Sequence, residues 1–112
     1  MSAAATTEAM FQQQVVDLLK LHGWRWLHVR RSLGKRNGRS AWQTTTNIKG
    51  WPDLFCWHPV HGFLALELKS PKGPIRPEQL DVMHELATAG ARTMIARPAD
   101  LDEVERWLRG KA

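Results

Sequence analysis

Gly62-Phe63-Leu64-Ala65-Leu66-Glu67-Leu68-Lys69 is the stretch that decides how this chain folds. Leu64, Leu66 and Leu68 recur at every second position, which is the period of a β-strand whose side chains alternate between two faces. Glu67 and Lys69 therefore project together on the opposite face, in line with Phe63 and Ala65. A carboxylate taken into such a face needs a cation or a hydrogen-bond network, because an unpartnered buried charge costs several kcal/mol.

Working outward, residues 50–52 (Gly-Trp-Pro) read as a turn leading into a strand over 53–57, and 58–62 joins that strand to the first as a hairpin. Asp53 then brings a second acid close to Glu67. Downstream, residues 70–74 form a proline- and glycine-rich loop. Pro77 suits the first position of a helix carrying Leu80, Met83, Leu86 and Ala87 as far as Gly90. Gln79 falls on the inward face of that helix, four and seven residues before Met83 and Leu86. A short strand over 92–96 follows, and Asp100 with Glu103 makes a capping box for a last helix bearing Leu101, Val104 and Leu108.

Upstream, residues 7–22 have the periodicity of an amphipathic helix, with Phe11, Val15, Leu18 and Leu19 inward and Gly23 as its stop. Glu8, three and seven residues before Phe11 and Val15, falls on the same buried face. Residues 24–29 alternate as a strand. Residues 31–38 are basic, glycine-containing and aperiodic, and read as a mobile loop or hairpin tip, the basic loop spanning about 31–41, with a turn at Asn37-Gly38 and an extended return over 42–48. The element order is α-β-β-β-α-β-α: an α/β fold with a mixed β-sheet flanked by helices, in a single domain over 1–112.

The net charge of +5 is unevenly spread. Between Leu18 and Pro52 stand eight basic residues, Lys20, Arg25, Arg30, Arg31, Lys35, Arg36, Arg39 and Lys49, and no acid, which leaves −3 for the remainder. Such a run, interleaved with Trp24, Trp26 and Trp42, points to a polyanion, nucleic acid before others. Arg30, Arg31, Lys35, Arg36, Arg39, Lys49 and Lys72 are the expected phosphate contacts. No apolar run reaches the length of a membrane span, the first residues lack a signal-peptide pattern, and one cysteine, Cys56, suits a reducing cytoplasm.

Two acids and a lysine converging on one spot suit metal-assisted phosphodiester cleavage. The acids hold a hard divalent cation while the lysine handles a water or a phosphate oxygen. Leu68, between Glu67 and Lys69, can lend its main-chain carbonyl. Two other chemistries were weighed. Cys56, His58 and His61 offer soft or borderline ligands for zinc, but no second Cys or His pair follows at finger-like spacing. Trp51-Pro52-Asp53 is similar to the acid loop of tyrosine phosphatases, yet the required arginine six residues after the cysteine is here Gly62.

Lys49-Gly50-Trp51-Pro52-Asp53-Leu54, the strand ending at Glu67-Leu68-Lys69, and Pro77-Glu78-Gln79 with its helix together resemble the VRR-NUC family, the virus-type replication-repair nuclease branch of the PD-(D/E)xK superfamily. The resemblance implies a restriction-endonuclease-like core that binds Mg2+ or Mn2+. By that match Asp53 and Glu67 are metal ligands, Lys69 is the catalytic lysine, Glu8 is an additional acid and Gln79 sits beside the site. It also implies a homodimer acting on DNA, similar to Holliday-junction-resolving enzymes of DNA repair. The expected activity is a metal-dependent DNA endonuclease, structure-selective rather than sequence-specific. The competing expectations are a catalytically silent nucleic-acid-binding module or accessory subunit on the same fold, and a nuclease for RNA or single strands.

Overall fold

The computed structural model describes residues 3–29, 31–36, 39–44 and 48–110, with side chains over 8–29 and 48–110. In chain order the elements are α1 (Ala3–Leu21), β1 (Arg25–His28), β2 (Arg31–Arg36), β3 (Arg39–Thr44), β4 (Leu54–His58), β5 (Gly62–Leu68), α2 (Pro77–Thr88) and β6 (Arg92–Ala96). A single 3-10 turn, Pro98–Asp100, then leads into α3 (Leu101–Leu108).

The strand alternation that opens the sequence places β5 at the centre of a four-stranded sheet ordered β1-β4-β5-β6. β4 runs antiparallel to both β1 and β5, with Leu54 opposite Leu66 and Cys56 opposite Leu64. β6 is parallel to β5, with Leu66 opposite Met94. A parallel neighbour requires a crossover, and α2 supplies it. The sheet is therefore mixed and flanked by helices, as expected.

The inward face of the sheet carries Leu54, Cys56, Leu64 and Leu66, all fully buried. They meet Phe11, Val15 and Leu19 of α1 and Val104 and Leu108 of α3 in one contiguous core. Full burial of a side chain of this kind contributes about 1.5–3 kcal/mol, so this face dominates the stability of the domain. Trp24 closes the seam. Its ring is buried and its indole Nε1 donates to the Leu108 carbonyl at 2.8 Å, tying the start of β1 to the end of α3.

Three local expectations differ from the structure. The first helix starts four residues earlier than residue 7, because Ala3-Ala4-Ala5 are the strongest helix formers and need no cap to join it. The basic segment, read as a mobile loop or hairpin tip with an extended return over 42–48, is regular over more of its length: β2 and β3 pair antiparallel, with Lys35 opposite Ser40 and Arg36 opposite Arg39. The expected Asn37-Gly38 turn between them lies outside the described residues. Asp100 does not box with Glu103: its Oδ2 accepts the Arg97 backbone N–H at 2.8 Å and closes the 3-10 turn ahead of α3. No helix among the described residues is long and apolar enough to cross a membrane.

Candidate active site

The antiparallel ladder of β4 and β5 ends at the Leu54–Leu66 pair. Two residues before Leu54, Pro52 has no N–H to continue it, and two carboxylates take over. Glu67 Oε1 accepts the Asp53 N–H at 3.1 Å, and Asp53 Oδ2 accepts the Leu68 N–H at 2.8 Å. Each acid thus satisfies the backbone of the other's strand, which holds both side chains at the mouth of the hairpin. Leu68 is thereby held beside Asp53 at the end of β5.

Gln79 joins this centre from α2. It is only 7% exposed, and Glu67 only 4%. Gln79 Nε2 donates to Glu67 Oε2 at 2.7 Å, while its Oε1 accepts from Lys69 Nζ at 2.8 Å and from the Arg76 N–H at 3.0 Å. The last contact caps the first turn of α2, since Arg76 precedes Pro77 and its N–H has no partner within the helix. Lys69 Nζ lies 3.3 Å from Glu67 Oε2. One glutamine therefore orients both the acid and the lysine and fixes the helix start at the same time.

Gly50 makes this geometry possible. Its φ is +90°, and a Cβ there would run into the backbone carbonyl of Glu78. Only glycine lets the loop ahead of Pro52-Asp53 lie directly on the first turn of α2. The Lys49 ammonium reaches Glu78 Oε1 at 3.9 Å across the same contact.

The electrostatics are unbalanced. Burial pushes the Asp53 carboxyl above its ordinary range, against the Leu68 N–H, Lys69, His28 and Glu67, which favour the charged form. Burial also raises Glu67, and the neighbouring Asp53 charge raises it further, with Lys69 opposing. Two ionised carboxylates carry −2 against the single charge of Lys69. The centre is one positive charge short, and the available donors are hard oxygens, so the residues fit a divalent cation such as Mg2+ or Mn2+.

Asp53, Glu67, Lys69 and Gln79 are thus brought together as expected. Glu8 is not. It is exposed, burial on α1 begins a turn later at Phe11, and no group of three His, Cys, Asp or Glu residues suited to a metal occurs among the described residues. The stripe of α1 does point inward at Glu8, but burial also requires an element opposite, and no described element covers that turn. The same absence removes the zinc reading. The Cys56 thiol is buried and pushed up to about 12, and His58 Nδ1 instead accepts the N–H groups of Val60 and His61 at 3.0 and 3.3 Å.

Of the basic residues, Lys49 and Lys72 are exposed. Arg31, Lys35, Arg36 and Arg39 lie on β2 and β3, with side chains outside the described set, as is all of Arg30. One participant was missed. His28, at the end of β1, lies close enough to Asp53 for its charged form to lower the acid's pKa, and the next N–H, that of Val29, donates to the Asp53 carbonyl at 3.1 Å. Strand alternation placed His28 on a face, but only the pairing of β1 with β4 brings it to Asp53.

An α/β domain with one buried and one half-buried acid, a lysine and a glutamine gathered where a central hairpin opens is the class defined by this fold and site. The VRR-NUC domain matches residues 6–100, and the chain belongs to the VRR-NUC family of nuclease domains. A solved structure described as a VRR_NUC domain is similar with a TM-score of 0.58 and 21% identity, covering 88% of this chain and 92% of that chain. At that identity the likeness speaks for the fold. No curated protein matches the chain.

Proposed function

We propose that this protein is a metal-dependent DNA endonuclease that selects its substrate by shape rather than by base sequence. The observation that carries the proposal is the half-buried Asp53 beside the buried Glu67, with Glu67 hydrogen-bonded through Gln79 to Lys69 and the centre one positive charge short. Asp53, Glu67 and the Leu68 carbonyl would hold Mg2+ or Mn2+, while Glu8 is exposed and outside this set. Such an ion supplies Lewis acidity toward the scissile phosphate and makes a nearby water a better nucleophile at neutral pH.

The chain's own residues account for the rest. Gln79 accepts one Lys69 N–H and Glu67 Oε2 lies 3.3 Å from the same Nζ, which leaves a third ammonium proton for a water or a phosphate oxygen. Lys69 thereby orients the attacking water and offsets charge that develops on the phosphate in the transition state. Lys49 and Lys72 would contact flanking phosphates, joined by Arg30, Arg31, Lys35, Arg36 and Arg39. These contacts position the backbone without reading bases. Contacts of this kind are why shape is the proposed determinant. A homodimer, with a second copy of the site, would allow paired cuts in a branched DNA, and a reducing cytoplasm is the proposed compartment.

The test is cleavage of labelled four-way-junction, flap, duplex and single-stranded DNA in magnesium, manganese or chelator, alongside Lys69→Ala. Metal-dependent products that fall by about 10²–10³-fold in the variant are expected, the loss typical of removing one transition-state donor. Full activity in Lys69→Ala would remove that lysine from the mechanism. DNA binding with no cleavage in any metal would identify a binding module instead.

A further inference from the structure

The face of the sheet opposite the core is only partly covered by the described residues. α2 lies over the β5–β6 side, where Ala65 and Glu67 are buried. Toward β1 the same face carries an aromatic series. The Trp51 ring lies 5.5 Å from Phe55, and Phe55 lies 5.6 Å from Phe63. Trp57 stands beside Phe63 in the β4–β5 register, with the Arg25 guanidinium 5.9 Å above its ring. Phe63 is 54% exposed.

Stability does not account for this arrangement. An exposed Phe63 leaves apolar area in water, and the buried Trp51 Nε1 has no acceptor among the described residues, at a cost of about 1–3 kcal/mol. The series also starts at the site. Trp51 is two residues before Asp53, and Asp53, Phe55 and Trp57 alternate onto one face of β4, as Glu67 and Phe63 do on β5. Phe63 stands four positions before Glu67 on β5, a span of about 13 Å at about 3.3 Å per residue. A strand held at the acids therefore reaches the aromatics within a few nucleotides.

We propose that Trp51, Phe55, Phe63 and Trp57 form a platform on which unpaired bases of the substrate stack, with Arg25 reaching the adjoining backbone. The inference rests on the nuclease reading and narrows its substrate to DNA with an unpaired segment beside the cut. The rings adjoin one another at centroid distances of 5.5 and 5.6 Å, and every base presents a π-face to such a surface. The charge matches as well. Arg25 lies over the platform, within a stretch of eight basic residues and no acid.

The experiment measures binding of a labelled single-stranded oligothymidylate and of a blunt duplex of equal length to the full chain in chelator. Phe63→Ala is expected to weaken single-strand binding by about 5- to 140-fold and to leave duplex binding unchanged. Phe63→Leu, which keeps apolar area but loses the ring, should weaken it too, while Phe63→Tyr should retain it. Unaltered single-strand affinity in the Ala and Leu variants would overturn the proposal. A shift of oligomeric state by light scattering in those variants, with unchanged affinity, would assign the face to a second copy and overturn it as well. Because the assay needs no cleavage, it separates a failed platform from a failed nuclease reading. An inactive protein that still prefers single strands through Phe63 keeps the platform and loses only the nuclease.

Discussion

Asp53 occupies the position where structure and chemistry conflict most. It completes the end of the β4–β5 ladder through the Leu68 N–H, yet burial raises its pKa above the ordinary 3.8. Glu67, with an ordinary value of 4.5, is raised by burial and by Asp53. A raised carboxyl keeps its proton in the folded state at pH values where the unfolded chain has released it. Stability therefore declines as pH climbs from the ordinary values through the raised ones. Asn at position 53 keeps an acceptor for the Leu68 N–H and removes the charge. In chelator, Asp53→Asn should be more stable than the unaltered protein at neutral pH, and the gap should close as the pH falls below 3.8. Saturating magnesium should reverse the order, since a ligand at a hundred times its Kd adds about 2.7 kcal/mol to the form that binds it. Urea unfolding across pH checks both parts, and a variant no more stable in chelator at neutral pH contradicts the charge imbalance.

At the scale of elements, the site depends on the meeting of a loop and a helix start. The loop over 48–52 rests on the first turn of α2 because Gly50 adopts a positive φ against the Glu78 backbone. That contact sets the height of Gln79 relative to Glu67 and Lys69. Gly50→Ala should cost at least about 1–2 kcal/mol from the left-handed backbone alone. The collision with Glu78 should add to that cost and displace α2. Urea denaturation with cleavage measured in parallel should show both stability and activity falling. A variant as stable as the original would mean the loop can lift without disturbing the helix. The elements themselves were largely legible. Alternation marked β4 and β5, Pro77 marked the start of α2, and Gly90 marked its end. Strands β2 and β3 were legible only as a hairpin tip and an extended return over 42–48, because residues 31–36 mix Gly, Ser and basic residues without a two-residue period.

At the scale of the whole molecule, the proposed function has positive charge and the acid site act on the same polyanion. If about five phosphates are neutralised, log affinity should fall with log salt at a slope of about −4.5. A slope near zero would reject the basic segment as a contact surface. Titration of salt in a DNA-binding assay made in chelator measures this independently of cleavage. The basic run was visible in the chain itself, since charge needs no fold to be counted. The aromatic platform was not, because Trp51, Phe55 and Phe63 become neighbours only through the β4–β5 register.

What the chain determined alone is whatever a short window encodes: the alternation that puts Glu67 and Lys69 on one face, the turn that delivers Asp53, the helix that turns Gln79 inward, and the family motif those residues form. What only the tertiary structure decided is which long-range neighbours complete the site. His28 reaches Asp53 through the pairing of β1 with β4. Glu8, with the same inward periodicity as Phe11, stays exposed because no described element lies across from it. Periodicity gives the direction in which a side chain leaves its own element. Whether anything stands there to receive it depends on how the other elements pack.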